Sequence, residues 1–440
     1  TTLPLLSAAY ISADKSGTDL GKLYSVNSFG SIFGAFISGF IIIPLIGLTY
    51  SSILAGAIYI IIAIALLYRF TDDLSRKRKK DAMMLCTAII LLSSISLISY
   101  CQPDYLYNGV YYQGVRYSNE SGIFQDNSGD NTQLLFEANS PYGVVTVFRD
   151  RINVWLKNNG KTDASLIDMD TQGLLSYLPI SLHSSPKRVL NIGMGGAFSL
   201  SSILTFNEVE SVDVVEIDPE VVEACKTVLA DYNNHCLNDS RTNVIVADGR
   251  NFLFSTDKKY DVIISEPPNI WVSGVSNLFT KEFYEMARAH LGVGGIFSQW
   301  FPRYEMDEHD YMIAIKTLRS VFPYVYEFDL GGDKIVLAST KDYDIYRDLN
   351  KSRLSSRKVD EDFNTTIKYS GKEYRFTYDN YDHYDPGKRN YDFLVSYYRR
   401  GPAEIDKYVQ DVNEINTDNL PVLEFSTERD KYPKFRINQS

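Results

Sequence analysis

KRVLNIGMGGAFSLSSILTFNEVESVDVVEIDPEVV, residues 187–222, is the stretch whose reading decides the fold. A run of buried-type residues, 188–192, reads as a strand and ends in Gly193, Met194, Gly195 and Gly196. A helix-like segment follows at 199–206, then a second strand, VDVVEID, with Glu216 near its end. Asp218-Pro219 opens another helix, so the stretch is a βαβ unit. Glycines at the first turn let a backbone approach a ligand closely. An acid at the tip of the second strand can accept hydrogen bonds from both hydroxyls of a ribose. Glu216 lies 23 residues after Gly193, close to the spacing that contact needs. A lone glycine turn is a weak signal; turn, spaced acid and βαβ pattern together point to a nucleoside.

Three more strands extend the pattern downstream. TNVIVADGR, 242–250, places Asp248 and Gly249 at its carboxyl end. A carboxylate there suits the exocyclic amine of an adenine, and the same Asp suits a helix N-cap; the two roles are compatible. YDVIISEPPN, 260–269, brings Glu266 to the rim, followed by Pro267, Pro268, Asn269 and Trp271. Catalytic groups of open parallel sheets gather at this end of the strands. The plainer role for Glu266 is a loop carboxylate held by backbone amides. GGIFSQWF, 294–301, puts Gln299 and Trp300 at the same rim, with core packing the alternative for Trp300.

Upstream of the βαβ unit, QLLFEA, GVVTVFRD, INVWLKN and KTDASLID alternate like strands and are separated by Ser140-Pro141 and Asn159-Gly160. The Asn-Gly pair is a strong hairpin signal, and the spacing predicts a small antiparallel sheet. A helix is expected over 171–182, ending before Ser185-Pro186.

The first hundred residues differ sharply from the rest. Apolar runs at 24–48, 51–68 and 82–100 each have about the 17–25 residues needed to cross a bilayer. Gly30, Gly34 and Ser38, flanked by Ala35 and Gly39, form a small-residue face suited to close helix packing in lipid. Pro44 near the end of the first run is tolerable there because neighbouring helices can satisfy the freed carbonyl. The expectation is a multi-pass membrane region over 1–101, partnered by lipid and by other membrane subunits or a second copy. The loop RFTDDLSRKRKKD, 69–81, belongs in the cytoplasm by its Lys and Arg content. That would put the large domain outside, in conflict with a cytoplasmic ligand, so the side it occupies stays open. The chain does not begin with Met and shows no signal-peptide pattern, so it can be a processed or truncated chain. Its 440 residues suit two or three domains, and a net charge of −11 argues against a nucleic-acid binder. Cys86, Cys101, Cys225 and Cys236 form no CxxC pair, so no metal site is expected.

The runs SPYGVVTVFRD, VLNIGMGG, VVEIDPEVV, ADGRNFL, DVIISEPPNIWVSGVSNLFTKEFY, GGIFSQWFPRY and NTDNLPVLEF resemble, in order and spacing, the spermidine synthase (polyamine aminopropyltransferase) family. With GKLYSVNSFGSIFGAFISGFIIIPLIGL ahead of them, the chain looks most like its membrane-fused branch, in which transporter-like helices precede the synthase domain. The resemblance implies an α/β fold: a Rossmann-like S-adenosylmethionine-dependent transferase domain preceded by a small antiparallel sheet and a transmembrane region. It divides the chain into 1–101, 102–183, 184–342 and a Tyr-rich extension, 343–440. It implies aminopropyl transfer from decarboxylated S-adenosylmethionine to an amine, without a metal. Glu216 then matches the ribose-binding acid and Asp248 the adenine contact, with Gly193, Gly195, Gly196 and Gly249 lining the donor. Glu266 takes the catalytic place, and Gln172, Asn269, Gln299 and Trp300 the substrate cleft. Asp418 and Glu424 are candidate extra acids.

The departures lie at the acids. Gly196 stands where soluble members carry the Asp that holds the aminopropyl amine, Glu266 replaces a catalytic Asp, and Asn269 replaces a second Asp. These changes imply an altered substrate or low activity. Two other classes remain: a different S-adenosylmethionine-dependent transferase such as a methyltransferase, and a non-catalytic subunit of a membrane assembly.

Overall fold

The computed structural model describes residues 16–70, 132–270, 272, 274–303, 306–370 and 385–424. The third apolar run, most of the basic loop, the Tyr- and Asn-rich segment from 102 to 131, Trp271 and the middle of the Tyr-dense run lie outside the described residues. The described chain falls into two units. One holds the N-terminal helices together with 137–145 and 159–161; the other holds most of the rest.

In the first unit, helix α1, Ser16–Ile37, passes through a wider π turn at Ser38–Ile42 into α2, Ile43–Phe70. The wide turn comes just before Pro44, whose missing N–H cannot continue the helical ladder. Gly47, at φ 75°, breaks α2 near its start. Among the described residues one helix, Thr18–Ile42, is long and apolar enough to cross a membrane; Tyr50–Ile62 is apolar but shorter. The expected multi-pass region is therefore not supported by the described residues, and the third run lies outside them. Phe29, Phe33, Phe36 and Phe40 on the long helix are exposed.

A four-stranded sheet comes next, β1 Gln133–Ser140, β2 Gly143–Arg149, β3 Val154–Asn158 and β4 Lys161–Ser165, in the order of the chain. Asn159 (φ 52°) and Gly160 (φ 81°) form the two-residue turn that the Asn-Gly pair predicts. Helix α3 spans Met169–Leu182, two residues earlier than the sequence suggests, and every residue in it is buried.

The large sheet has eight strands in the order β12-β10-β11-β9-β8-β5-β6-β7. The strands β5 (Arg188–Ile192), β6 (Ser211–Glu216), β7 (Thr242–Val246), β8 (Tyr260–Ser265) and β9 (Leu291–Phe301) run parallel. Between them lie α4 (Phe198–Leu204), α5 (Pro219–Lys226), α6 (Gly249–Ser255) and α7 (Lys281–Ala289). After α8 (Glu308–Val321), β10 (Tyr324–Asp329) and β11 (Lys334–Ser339) add an antiparallel hairpin beside β9. The chain builds outward from β5 to β7 and then crosses back to β8, so the switch point lies between β5 and β8. Ligand crevices of open α/β sheets form there.

The C-terminal extension does not stand apart from the Rossmann sheet. Its strand β12, Tyr398–Arg400, pairs antiparallel with β10 and becomes the edge. Helix α9, Arg357–Ser370, is tied to α3 by a buried cluster in which Tyr177 and Ser202 both donate to Asp362. The expected boundary at 342/343 is thus no break in packing. Phe279, Phe283, Tyr284, Phe297, Phe301 and Phe322 form an aromatic core between the sheet, α7 and α8. Burying such rings is worth several kcal/mol each, which fixes the sheet that carries the site.

Candidate functional site

The glycine turn and the acid expected to face it come together. Gly193 has φ 85°, and a Cβ there would lie 2.4 Å from the Glu266 carbonyl oxygen. Any other residue would meet both the strained backbone and a collision with β8's exit. The Gly193 N–H donates to Val215 O and the Glu266 N–H to Ile192 O, so the tips of β5, β6 and β8 are laced together. Glu216 Oε2 accepts from the Met194 N–H at 2.9 Å and Oε1 from the Asp218 N–H at 3.0 Å. Burial pushes its carboxyl up to about 7, against the lowering effect of those amides. Gly195 shares the turn, and a Cβ at Gly249 would lie 2.4 Å from Ile192 Cγ2, so glycine lets α6 close onto β5.

Asp248 caps α6, its side chain accepting from the Asn251 N–H at 2.8 Å. That is the capping role the sequence allows, and it leaves the residue at the carboxyl end of β7 as the adenine reading requires. Gly196 takes a different course from an open loop. A Cβ there would meet the Phe198 ring at 2.5 Å, so the ring occupies the space a side chain at 196 would need. The donor side of the turn is apolar at this point.

Glu266 sits just past β8 with one edge exposed. Ser199 Oγ, fully buried on α4, lies 2.8 Å from Glu266 Oε2 and 3.1 Å from the Gln172 carbonyl; its single proton serves one at a time. Desolvation pushes the Glu266 carboxyl up to about 8, the Ser199 hydrogen bond opposes it, and the charges of Glu216 and Asp163 add to the rise. Gln172 on α3 is 5% exposed, and its Oε1 has no hydrogen-bond partner among the described residues. A Cβ built on Gly195 would lie 3.6 Å from Glu266 Oε1 and 3.8 Å from Gln172 Oε1, so both oxygens face one small space.

Gln299 and Trp300 both lie at the carboxyl end of β9, as expected, but on opposite faces of the sheet. Side chains alternate along β9. Gln299 is fully buried on the α7 side, accepting from Tyr284 Oη at 2.8 Å and donating to Leu278 O and Ser265 Oγ. Trp300 points to the α3 side and donates from Nε1 to Asp333 Oδ1 at 3.0 Å. Asp333, in the β10–β11 turn, is also 3.5 Å from Thr171 Oγ1. Sequence reading missed Asp333, Asp163 and Ser199: the first two are ordinary loop and strand acids, and Ser199 looks like any helix residue. Asn269 is fully buried beneath the loop. Asp418 is engaged in an ion pair with Arg250, which holds its carboxyl below the usual range, and Glu424 accepts from Ser276 Oγ at 3.4 Å. Neither is thereby a cleft acid. No group of three or more metal-ligating residues occurs among the described residues.

A glycine turn touching a strand-tip acid, beside a second carboxylate at the switch point of a mostly parallel sheet, defines a Rossmann-type α/β fold. Comparison with known proteins narrows this. The spermine/spermidine synthase domain matches residues 170–329. The polyamine aminopropyltransferase of Saccharolobus solfataricus is 30% identical over 304 residues, covering 66% of this chain and 91% of that one. That of Buchnera aphidicola is 28% identical over 192 residues, covering 43% and 67%. A crystal structure of spermidine synthase in complex with the transition state analogue AdoDATO shares the fold, with a TM-score of 0.50, 22% identity and coverage of 63% of this chain and 88% of that one. The chain belongs to the polyamine aminopropyltransferase family.

Proposed function

We propose that the chain transfers an aminopropyl group from decarboxylated S-adenosylmethionine to a small amine, with Glu266 as the catalytic acid–base. The acceptor nitrogen attacks the methylene carbon on the sulfonium. An N–C bond forms, the C–S bond breaks, and its electron pair stays on sulfur as a neutral thioether. The surplus proton leaves the nitrogen for the Glu266 carboxylate. Glu216 and the backbone of 193–196 hold the ribose, and Asp248 the adenine. Gln172 Oε1 accepts from an N–H of the incoming neutral amine.

The observation that carries this reading is the shared space between Glu266 Oε1 and Gln172 Oε1 beside the glycine turn. An empty cleft holds Glu266 largely protonated at neutral pH. A sulfonium and an ammonium favour the carboxylate, so substrate binding arms the base. The Phe198 ring beside Gly196 favours a second reading, transfer of a less polar group such as methyl from S-adenosylmethionine. Thr18–Ile42 supports attachment of the enzyme to a bilayer. The test is incubation of the purified chain with each donor and a panel of amines, with products read by mass spectrometry. An aminopropylated amine supports the proposal. A methylated product, or transfer undiminished in E266Q, overturns it.

A further inference from the structure

Gly193 at φ 85°, Gly195 at φ 50° and Ala197 at φ 62° all stand in the left-handed region, so the glycine turn is a strained piece of backbone. We propose that Asn233, with the thiols of Cys225 and Cys236 beside it, is a positioning residue that fixes the shape of this turn and through it the affinity for the nucleoside donor; what the turn binds rests on the transfer reading above.

Ala197 carries a Cβ, so its conformation is costly and persists only where neighbours hold it. The neighbours come from one stretch of the connection between β6 and β7. Cys225 Sγ, near the end of α5, donates to Gly195 O at 3.2 Å. Asn233 Nδ2 donates to Gly196 O at 3.4 Å and to Cys225 O at 2.9 Å. Cys236 Sγ donates to Ala197 O at 3.5 Å. Three successive carbonyls are thus held from 225–236, and Asn234 Nδ2 adds a tie to Ser201 Oγ at 2.9 Å. The stretch is itself strained, with Asn234 at φ 56° and His235 at φ 50°. Arg241, just beyond it, donates to the carbonyls of Leu204, Phe206 and Val209, so the same connection holds α4 at both ends.

Pinning these carbonyls aims the rest of the turn. A trans peptide is planar, with its C=O and N–H pointing opposite ways. Drawing the carbonyls of 195 and 196 toward Cys225 and Asn233 turns the N–H groups of 196 and 197 away from them. The Ala197 N–H closes the bend on Met194 O at 2.7 Å, while the Met194 N–H reaches Glu216 Oε2. The brace and Glu216 therefore grip opposite sides of one bend. Burial pushes both thiols up, so each keeps the proton it donates. Thiols are weak donors, which leaves Asn233 as the strongest member. Its amide is fully buried, and Oδ1 has no hydrogen-bond partner among the described residues. A buried acceptor left unpaired is costly, so the amide stands there for its N–H groups and not for its oxygen.

The experiment uses the full chain, wild type, N233A and N233L; alanine leaves a gap and leucine fills it, and neither can donate. Amide hydrogen exchange is read on the ligand-free chain. Calorimetric binding uses 5′-methylthioadenosine, the thioether left by transfer, and steady-state transfer gives KM and kcat. Amides of 194–198 should be protected in the wild type and exchange about tenfold faster in both variants, with β8 and α7 unchanged. Nucleoside affinity should fall about tenfold in both, donor KM should rise by the same factor, and kcat and amine KM should stay within a few-fold. Unaltered exchange and affinity in both variants would overturn the proposal. So would a loss in N233A that N233L repairs, or equal damage to donor KM, amine KM and kcat, since either marks Asn233 as packing. Fast exchange at 194–198 in the wild type would overturn it even if both variants failed to fold. A turn that loosens in both variants while the wild type takes no nucleoside would sink the transfer reading and leave the brace.

Discussion

The two halves of the cleft are built in different ways. The donor half is local: Gly193, Met194 and Glu216 come from one βαβ unit, and their contact is a single backbone-to-carboxylate hydrogen bond at 2.9 Å. The half to which the proposed function assigns the acceptor is assembled from α3, α4, β8, β9 and the β10–β11 turn, where Gln172, Ser199 and Glu266 meet on one side and Trp300 and Asp333 on the other. A local site tolerates change elsewhere in the chain, whereas an assembled one depends on every element that meets there.

The sharpest way to separate the halves is E266Q. It should lower kcat/KM by about 10²–10⁴, the usual worth of a general base, while donor affinity stays within a few-fold, read by turnover beside calorimetry. E216A should do the reverse. It removes a carboxylate that organises the turn, and donor affinity should fall about ten- to hundredfold with acceptor preference unchanged. If either variant damaged both halves equally, the division would fail.

S199A probes the seam between the halves. Its hydroxyl lowers the Glu266 carboxyl against burial, so its loss should raise that value further and move the basic-side rise of kcat/KM to higher pH. The rate at neutral pH should fall several-fold, and Ser199→Thr should restore it. A flat loss at every pH would mark Ser199 as packing only.

The smallest effect is thermal. Glu266 and Glu216 are raised from about 4.5 to about 8 and about 7 by folding. Between those limits the folded chain binds more protons than the unfolded one, so these groups lower stability as pH rises through that window. The melting temperature of the ligand-free chain should drop by a few degrees from pH 5 to 8.5. E266Q should flatten the drop, and a donor analogue should do the same by supplying positive charge.

The fold and the donor half could be read along the chain because their signals are local. Period-two apolar runs, the glycine turn at 193–196, the 23-residue spacing to Glu216 and the Asn159-Gly160 hairpin each lie within one short segment. What lay outside reading was set by alternation and by contacts at long range. Gln299 and Trp300 are adjacent in sequence yet face opposite sides of the sheet. Asp333 reaches Thr171 across 162 residues of chain, and Asp418, plausible as a cleft acid, is claimed by Arg250. The extension after 342 reads as an appendage, but β12 completes the sheet because an unpaired edge strand gains hydrogen bonds from any extended segment brought beside it. Sequence alone determined which residues bend, alternate and carry charge, since those are properties of neighbours. Only the tertiary structure decided which charges meet, because a carboxylate's partner is fixed by the packing of α3 and the strand order, and neither is encoded in any one segment.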